Sequence, residues 1–514
     1  MRNFKGVVSA ATPEAAHSGA DVLKEGGNAV DAAVAVSLAI GVTEPAGSGI
    51  GAQGTMIVQR PNNVPFVING TSLAPPELPA DLKLTDLRGR RASTVPSILR
   101  MLDFVHKNYG SGKVPWKRLV EPAIYYAEKG YPLGEFRRKS LLRYRKSLRK
   151  NETAKELLFT AEGSVPEVGS CMKNYRLATA LQRIGLKGTQ EFYSGKMAEE
   201  IAEDMAEHDG WVNRSNLRDI PAPKILPALK GFYRGCDVAT LPPPASGWVV
   251  LMALNILGQV SSEIMSQQSS MRTVWTVQAL KVAHRHRVIR PIQDLIHYED
   301  QVQKKLNTKR AEKIAASLRD EGTGETTHFS IVDKDGMAVG VTQSLNSYFG
   351  AKIVHPALGF FYNSYMIEFA SPLRNNPFAL RPSAMPYSSM SASILARDSK
   401  PLMVLGSPAN DRIISAVVQV ISNWLDLKQT IQSAIEKPRL HTIREEEVMM
   451  EVRPSSATLL ALEELGFSVH APFTSLFAGK LNPYFGGVHA IALEDNDWVG
   501  AADPRRDGAV VYAD

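Results

Sequence analysis

Two cysteines in 514 residues exclude a disulfide framework, and Cys171 and Cys236 stand in no metal-ligand spacing, so a pair of free, buried thiols is expected. The apolar stretch 29–40 is too short to span a bilayer and contains Asp31. The first residues, Met1-Arg2-Asn3-Phe4-Lys5, lack the long apolar core of a secretory leader and run into a strand-like segment at residues 6–10. A cytoplasmic location is therefore the expectation for the chain as it stands, and a leader trimmed away would change it. There is no internal repeat and no low-complexity tract. The glycines at 47, 49, 51 and 54 are not followed by a phosphate-binding helix and its acidic partner, so no dinucleotide fingerprint is present. Neither a cofactor nor a metal is expected.

What the chain has is bulk and a mild excess of positive charge. With 44% hydrophobic and 22% charged residues, it can bury a large core, and its length alone suggests about three domains while allowing fewer. Net charge is +7, and eight basic residues crowd between Arg137 and Lys150 in an expected surface helix. That run reads either as a patch for nucleic acid or anionic membrane, or as a solvated helix face. No aromatic stacking motif accompanies it, which favours the solvated face.

Along the chain, Thr12 caps an expected helix with Pro13 at its first position and Glu14 in its first turn. A second helix, 30–41, is rich in small residues, as if packed closely on a sheet. Residues 95–220 read as mostly helical, followed by helices at 247–257 and 273–290. Residues 299–325 are polar, highly charged and end in Gly322-Thr323-Gly324-Glu325, the composition of a mobile tether. Beyond Thr326 strands dominate, interrupted by helices near 413–427, 430–436 and 456–465.

The segment with a specific chemistry begins at Glu325-Thr326-Thr327-His328-Phe329-Ser330. Residues 327–332 alternate polar and apolar as a half-buried strand does. Residues 337–345 repeat the pattern after Asp333-Lys334-Asp335-Gly336, a composition suited to a type I turn. Pairing Asp333 with Met337 sets Thr326 opposite Ser344, two hydroxyls about 5 Å apart across the sheet. A threonine hydroxyl needs a base to act as a nucleophile. A free α-amino group, titrating at about pH 8, serves once the preceding peptide bond is cut. Taken alone, the same residues also read as an ordinary Thr-rich strand.

Longer blocks decide between these readings. Before Thr326 stand Gly26-Gly27-Asn28-Ala29-Val30-Asp31-Ala32-Ala33-Val34, Glu44-Pro45, Ser48-Gly49-Ile50-Gly51, Tyr233-Arg234-Gly235, Pro242-Pro243-Pro244 and Ser246-Gly247. After it come Asn346, Phe349-Gly350, Gly359, Asn363, Arg381-Pro382, Ser388-Ser389-Met390-Ser391, Gly406-Ser407-Pro408, Arg412-Ile413-Ile414, Pro438-Arg439 and Asp503-Pro504-Arg505-Arg506-Asp507-Gly508. In number and order these blocks resemble the γ-glutamyltranspeptidase family of N-terminal-nucleophile hydrolases, over nearly the whole chain. The resemblance implies an α/β fold, a four-layer αββα sandwich built as one composite unit. Residues 1–325 form its large segment and residues 326–514 its small one.

The same resemblance implies self-cleavage between Glu325 and Thr326. Thr326 then attacks an amide, its own amine acting as base, and the acyl-enzyme passes its acyl group to water or an amine. Ser344 stands where the family usually has a second threonine that orients the nucleophile. Substrate binding falls to Asn346, Tyr365, Glu368, Ser388, Ser389 and the position held by Thr71, and oxyanion stabilisation to the amides of Ala409 and Asn410. The implied partners are a small-molecule γ-glutamyl or other amide, water or an acceptor amine, and the two segments held together after cleavage. A homodimer or a heterotetramer of two cleaved chains is compatible with the resemblance; nucleic acid and membrane are not expected partners.

Three positions depart from the family pattern. Thr71 falls where an arginine grips the substrate α-carboxylate, and a threonine offers no fork of donors. Glu368 replaces the usual aspartate on the ammonium side, one methylene longer, and Tyr365 replaces a polar or acidic residue. Ala409-Asn410 replaces a pair of glycines, adding two β-carbons near the oxyanion site. Poor use of glutathione follows, unless Arg381 or another basic residue compensates. A divergent acylase with a non-glutamyl substrate and a non-catalytic binding or structural relative are the alternatives.

Overall fold

In the computed structural model, every residue of the strands Glu325–Asp333 and Ala338–Asn346 is buried, where the alternation in the sequence predicts one solvated face. The structure describes residues 4–79, 81–289, 292, 298–306, 325–369, 379–442, 446–472 and 481–514. The reason for the double burial is layering. One seven-stranded sheet runs in the order Ala509–Ala513, Gly6–Ala10, Glu325–Asp333, Ala338–Asn346, Gln53–Gln59, Phe66–Gly70, Lys224–Pro227. A six-stranded sheet runs Asp497–Ala502, His489–Glu494, Lys400–Gly406, Ser393–Arg397, Cys236–Thr240, Leu229–Tyr233.

Three apolar clusters separate the layers. Phe329 and Ile331 pack with Val36 and Leu102 of the outer helices on one side. Between the sheets, Val7, Ile57 and Val332 meet Ile394, Val404 and Ile491. Beyond the second sheet, Met403 and Leu405 pack with Val250 and Val417 of the helices Gly247–Gly258 and Arg412–Leu425. This is the expected four-layer αββα sandwich. Both sheets draw strands from either side of residue 325, so the peptide bond between Glu325 and Thr326 is not needed to hold the layers together.

The polar face of the central hairpin looks into the space between the sheets, and its groups are satisfied there. His328 Nδ1 and Nε2 lie 2.9 Å from Thr342 Oγ1 and 3.0 Å from Ser330 Oγ, and the Ser330 hydroxyl donates to the carbonyl of His489. The close approach needs a glycine opposite: a β-carbon at Gly406 would lie 2.4 Å from the His328 ring. Burial drives the His328 imidazole well below its ordinary pKa, so it packs as a neutral ring.

Local signals mostly hold. Thr12 Oγ1 accepts from the Ala15 amide at the head of the helix Pro13–Lys24, and Asn28 and Asp31 form a capping box on Ala29–Thr43. Asp333 Oδ1 accepts from the amides of Asp335 and Met337 to fix the turn, while Oδ2 accepts from Ala29 N. Three expectations need correction. Cys171 is exposed on the short strand Cys171–Met172, because that small hairpin lies outside the layers; only Cys236 is buried. The basic helix Glu135–Leu148 is not wholly solvated, since Arg137 turns inward to ion pairs with Glu14 and Asp507. Of the expected tether, Glu299–Leu306 is helical, with acidic residues at its start, basic ones at its end and Val302 buried; residues 307–324 lie outside the described residues. The helix expected at 273–290 is observed as Ser270–Ile289, and position 290 lies outside the described residues. No helix among the described residues is long and apolar enough to cross a membrane.

Candidate active site

The hairpin register delivers the pair of hydroxyls. Residues pair from Ala338 with Val332 to Gln343 with Thr327, then a bulge shifts the register so that Asn346 faces Glu325. Thr326 Oγ1 lies 3.4 Å from Ser344 Oγ. Ser344 in turn donates to the carbonyl oxygen of Glu325 at 2.7 Å, and accepts from the amide of Asn346 at 2.7 Å. The bulge lies at this arrangement, between Gln343 and Asn346, where Ser344 Oγ meets both the Glu325 carbonyl and the Asn346 amide. Asn346 adopts φ +79°, a left-handed conformation that asparagine tolerates better than most residues.

Around this pair the expected binding residues gather in two directions. The Tyr365 phenol hydrogen-bonds Ser344 and Gln53, and burial pushes it well above its ordinary pKa, so it stays a neutral donor. Asn346 hydrogen-bonds Glu368, whose carboxyl is pushed up to about 7 by burial and by the nearby Asp411. Beyond Glu368, Arg287 binds the hydroxyl of Ser389 at 2.7 Å and that of Ser246 at 3.1 Å, ion-pairs with Asp411 and stacks over Tyr387. Ser389 Oγ also lies 2.9 Å from Asn410 Oδ1 and 3.0 Å from Asp411 Oδ1. Burial opposes a charge on Asp411, yet Arg287, His284 and Arg412 outweigh it and hold this carboxyl well below the usual range. Ser388 is buried beside them, its carbonyl accepting from Ser246 Oγ.

Ala409 and Asn410 stand in the left-handed region that favours glycine, at φ +97° and +48°. For alanine, such a conformation costs about 1 kcal/mol or more, which the helix Arg412–Leu425 anchors through Arg412 N to Ala409 O and Ile413 N to Asn410 O.

Thr71 is not brought to this cluster. Its hydroxyl is turned to Asn69 Oδ1 at 2.5 Å, and it lines a separate cleft with Ser97, Arg100, Lys224 and Ser383. Its neighbour Ser72 reaches the site at one remove, by donating to Gln53. Arg381, considered as a compensating cation, is exposed.

The sequence did not signal the buried charges that surround Glu325. On the other side of Thr326, Glu325 Oε1 lies 2.8 Å from Arg506 Nη2 and accepts from the Thr326 amide at 3.0 Å. The Tyr348 phenol hydrogen-bonds the same carboxylate, Arg506 stacks over Phe136, and Glu44 sits 3.9 Å from Arg506. Burial pushes Glu44 up to about 7 against the pull of Arg506. Glu44 and Arg506 stood in blocks that carry the family resemblance, with no role attached. Arg287 was hidden in His284-Arg285-His286-Arg287, four basic residues inside an otherwise packed helix, a pattern that itself signals buried partners. Among the described residues no group of three or more His, Cys, Asp or Glu is placed to hold a metal.

The sequence profile of the gamma-glutamyltranspeptidase family matches residues 15–513. The chain is 31% identical to a glutathione hydrolase proenzyme of Escherichia coli (strain K12), covering 98% of this chain and 91% of the relative. It is 29% identical to a glutathione hydrolase proenzyme of Bacillus subtilis (strain 168), with 98% and 91% covered. In fold it is similar to a cephalosporin acylase from Bacillus halodurans, with a TM-score of 0.87 over 99% of this chain and 96% of that one at 24% identity. A γ-glutamyltranspeptidase from Helicobacter pylori aligns over 60% of this chain and 90% of its own, with a TM-score of 0.55 and 27% identity.

Proposed function

From the premise that this chain belongs to the gamma-glutamyltranspeptidase family of self-processing amide hydrolases and acyltransferases, we propose that Thr326 is its nucleophile and the Glu325–Thr326 bond its processing site. The observation that carries this reading is Ser344, whose hydroxyl bridges the Thr326 Oγ and the Glu325 carbonyl oxygen. As Thr326 Oγ bonds to the Glu325 carbonyl carbon, its proton passes to Ser344 and the Ser344 proton passes to the carbonyl oxygen. Collapse of the tetrahedral adduct breaks the C–N bond as the proton of its hydroxyl passes to the leaving nitrogen, giving an ester and a free Thr326 amine. Water hydrolyses the ester. Residues 1–325 and 326–514 remain in one sandwich.

In turnover the free amine takes the hydroxyl proton while Oγ attacks the substrate amide, and the departing amine carries that proton away. Ser344, fixed by the Asn346 amide and Tyr365, holds the nucleophile in line. The amides around Ala409 and Asn410 face the oxyanion, and Ser388, Ser389 and Glu368 line the acyl pocket. Water or an amine then resolves the acyl-enzyme. The substrate is a γ-glutamyl or related acyl amide, and glutathione is used poorly because Thr71 lies in another cleft.

The test is a panel of acyl p-nitroanilides on the processed protein. The reading expects nitroaniline release and an acyl adduct on the 326–514 piece by mass spectrometry. A processed protein that releases nothing from any anilide would contradict it.

A further inference from the structure

The helical layer over the six-stranded sheet holds a cavity of about 640 Å³ that the chemistry at Thr326 does not use. It opens where the start of the helix Ser270–Ile289 meets the end of Arg412–Leu425, joined there by Arg272 Nη2 donating to Ser422 Oγ at 2.9 Å and Asn423 Oδ1 at 3.0 Å. The same two helices carry the active-site wall at their other ends, through Arg287 and Asp411. Arg272 and Arg287 therefore stand about 22 Å apart along one helix, which separates this cavity from the acyl pocket. We propose that the cavity is a phosphate-group site, a reading that stands apart from the hydrolase reading above.

The lining carries the cations Arg272, Lys437 and Arg439 and, among the described residues, no carboxylate. Arg439 is matched, with Asp503 at 2.7 Å. The other two are not. Asp426 stands 3.9 Å from Arg272 and is already engaged by Arg234 at 2.7 Å and by the hydroxyls of Tyr233 and Ser422, each at 2.6 Å. No described carboxylate acts on the half-buried Lys437; burial, and then the charge of Arg272, push its ammonium below the ordinary range. Two like charges on one cavity destabilise each other until an anion joins them. Donors stand ready as well. Thr458 Oγ1 lies 2.8 Å from Ser270 Oγ and 2.9 Å from Ser455 Oγ, and three hydroxyls sharing two bonds keep one O–H for a ligand. A phosphomonoester, with a charge of about −1.5 to −2 and three acceptor oxygens, answers both cations and the hydroxyl, where a carboxylate leaves one cation unmatched. Leu257, Leu440, Met450 and Val452 supply an apolar wall, and the volume is that of a small-molecule site, so there is room for an apolar body behind the phosphate.

The experiment is calorimetry on the full chain at fixed ionic strength, with phenyl phosphate, inorganic phosphate, benzoate and phenol as probes. Phenyl phosphate should bind with a sub-millimolar Kd, benzoate about tenfold or more weaker, and phenol not at all. Lys437→Ala should weaken phenyl phosphate by about tenfold or more while the unfolding midpoint stays near that of wild type. Lys224→Ala, which removes a cation from the cleft at Thr71, should leave binding unchanged. Thr326→Ala should bind as wild type does, because the site does not depend on the nucleophile. Inorganic phosphate at parity with phenyl phosphate would assign the site to free phosphate, and an advantage for phenyl phosphate to a phosphorylated molecule with an apolar body; either upholds a phosphate-group site. No binding of either phosphate, benzoate at parity with phenyl phosphate, binding unchanged in Lys437→Ala, or binding lost in Thr326→Ala overturns it.

Discussion

In the nucleophile hairpin, Thr326 and Ser344 are 18 residues apart and joined by one turn, so their meeting is written in local register. The wall facing them is assembled from afar: Arg287 reaches Ser389 across 102 residues and Asp411 across 124. The hairpin holds its hydroxyls through backbone groups that any sequence supplies, the Glu325 carbonyl and the Asn346 amide. The wall holds its polar groups through buried charges that must be matched one by one. Glu368 in the wall and Ser344 in the hairpin both differ from the residues that the family resemblance implies, but the exchange in the hairpin keeps its hydroxyl and its backbone partners, whereas the one in the wall moves a buried charge.

The largest expected effect breaks the wall. Asp411→Asn strips Arg287 of its counter-charge in a buried site and should destabilise the fold by about 3 to 5 kcal/mol, read by denaturant unfolding. The sign with pH follows from the depressed carboxyl of Asp411. Its contribution is fully present above the unfolded value of about 3.9 and is lost as pH falls through the lower folded value, so the gap between wild type and variant narrows in acid. An unfolding curve unchanged at neutral pH would show that the pair does not organise the wall.

Next comes the hairpin. Ser344→Ala removes the bridging hydroxyl and should slow both processing and turnover by about ten- to a thousandfold without changing stability much, whereas Ser344→Thr should keep most activity. Equal rates for wild type and Ser344→Ala would detach the bulge from the chemistry.

The hairpin was largely legible before the structure, because a turn composition and a period of two fix which side chains face each other. The bulge was not, and neither was the burial of both faces, since nothing in residues 327–345 says that a second sheet lies over them. Glu368 and Ser389 were placed by resemblance alone. Arg287 and Arg506 escaped because a buried cation is recognisable only once its anion is known, and Asp411 and Glu325 lie far from them in sequence. That Thr71 lacks a fork of donors follows from its side chain alone, whereas its separate cleft depends on how Asn69 and Ser72 are held.

Two smaller effects sharpen the comparison. Glu368, raised to about 7, is protonated below that pH and ionised above it. If it grips a substrate ammonium, the ratio of kcat/KM for γ-glutamyl over glutaryl p-nitroanilide should fall roughly tenfold per unit as pH drops below about 7. The shared amine base cancels in that ratio, and Glu368→Gln should flatten it. The smallest change is Thr71→Arg, expected to raise γ-glutamyl anilide turnover by less than about tenfold, because the position opens on the cleft with Arg100 and Lys224. Wild-type kcat/KM for glutathione at or above about 10⁴ M⁻¹s⁻¹ would show that the wall was never rebuilt.

The most direct measurement is the intact mass of the purified wild-type chain, followed through incubation beside Thr326→Ala. Two pieces, residues 1–325 and 326–514, with threonine at the new amino terminus, are expected from the wild type, and an uncut chain from the variant. A wild type that persists as a single 56.2 kDa chain would contradict this.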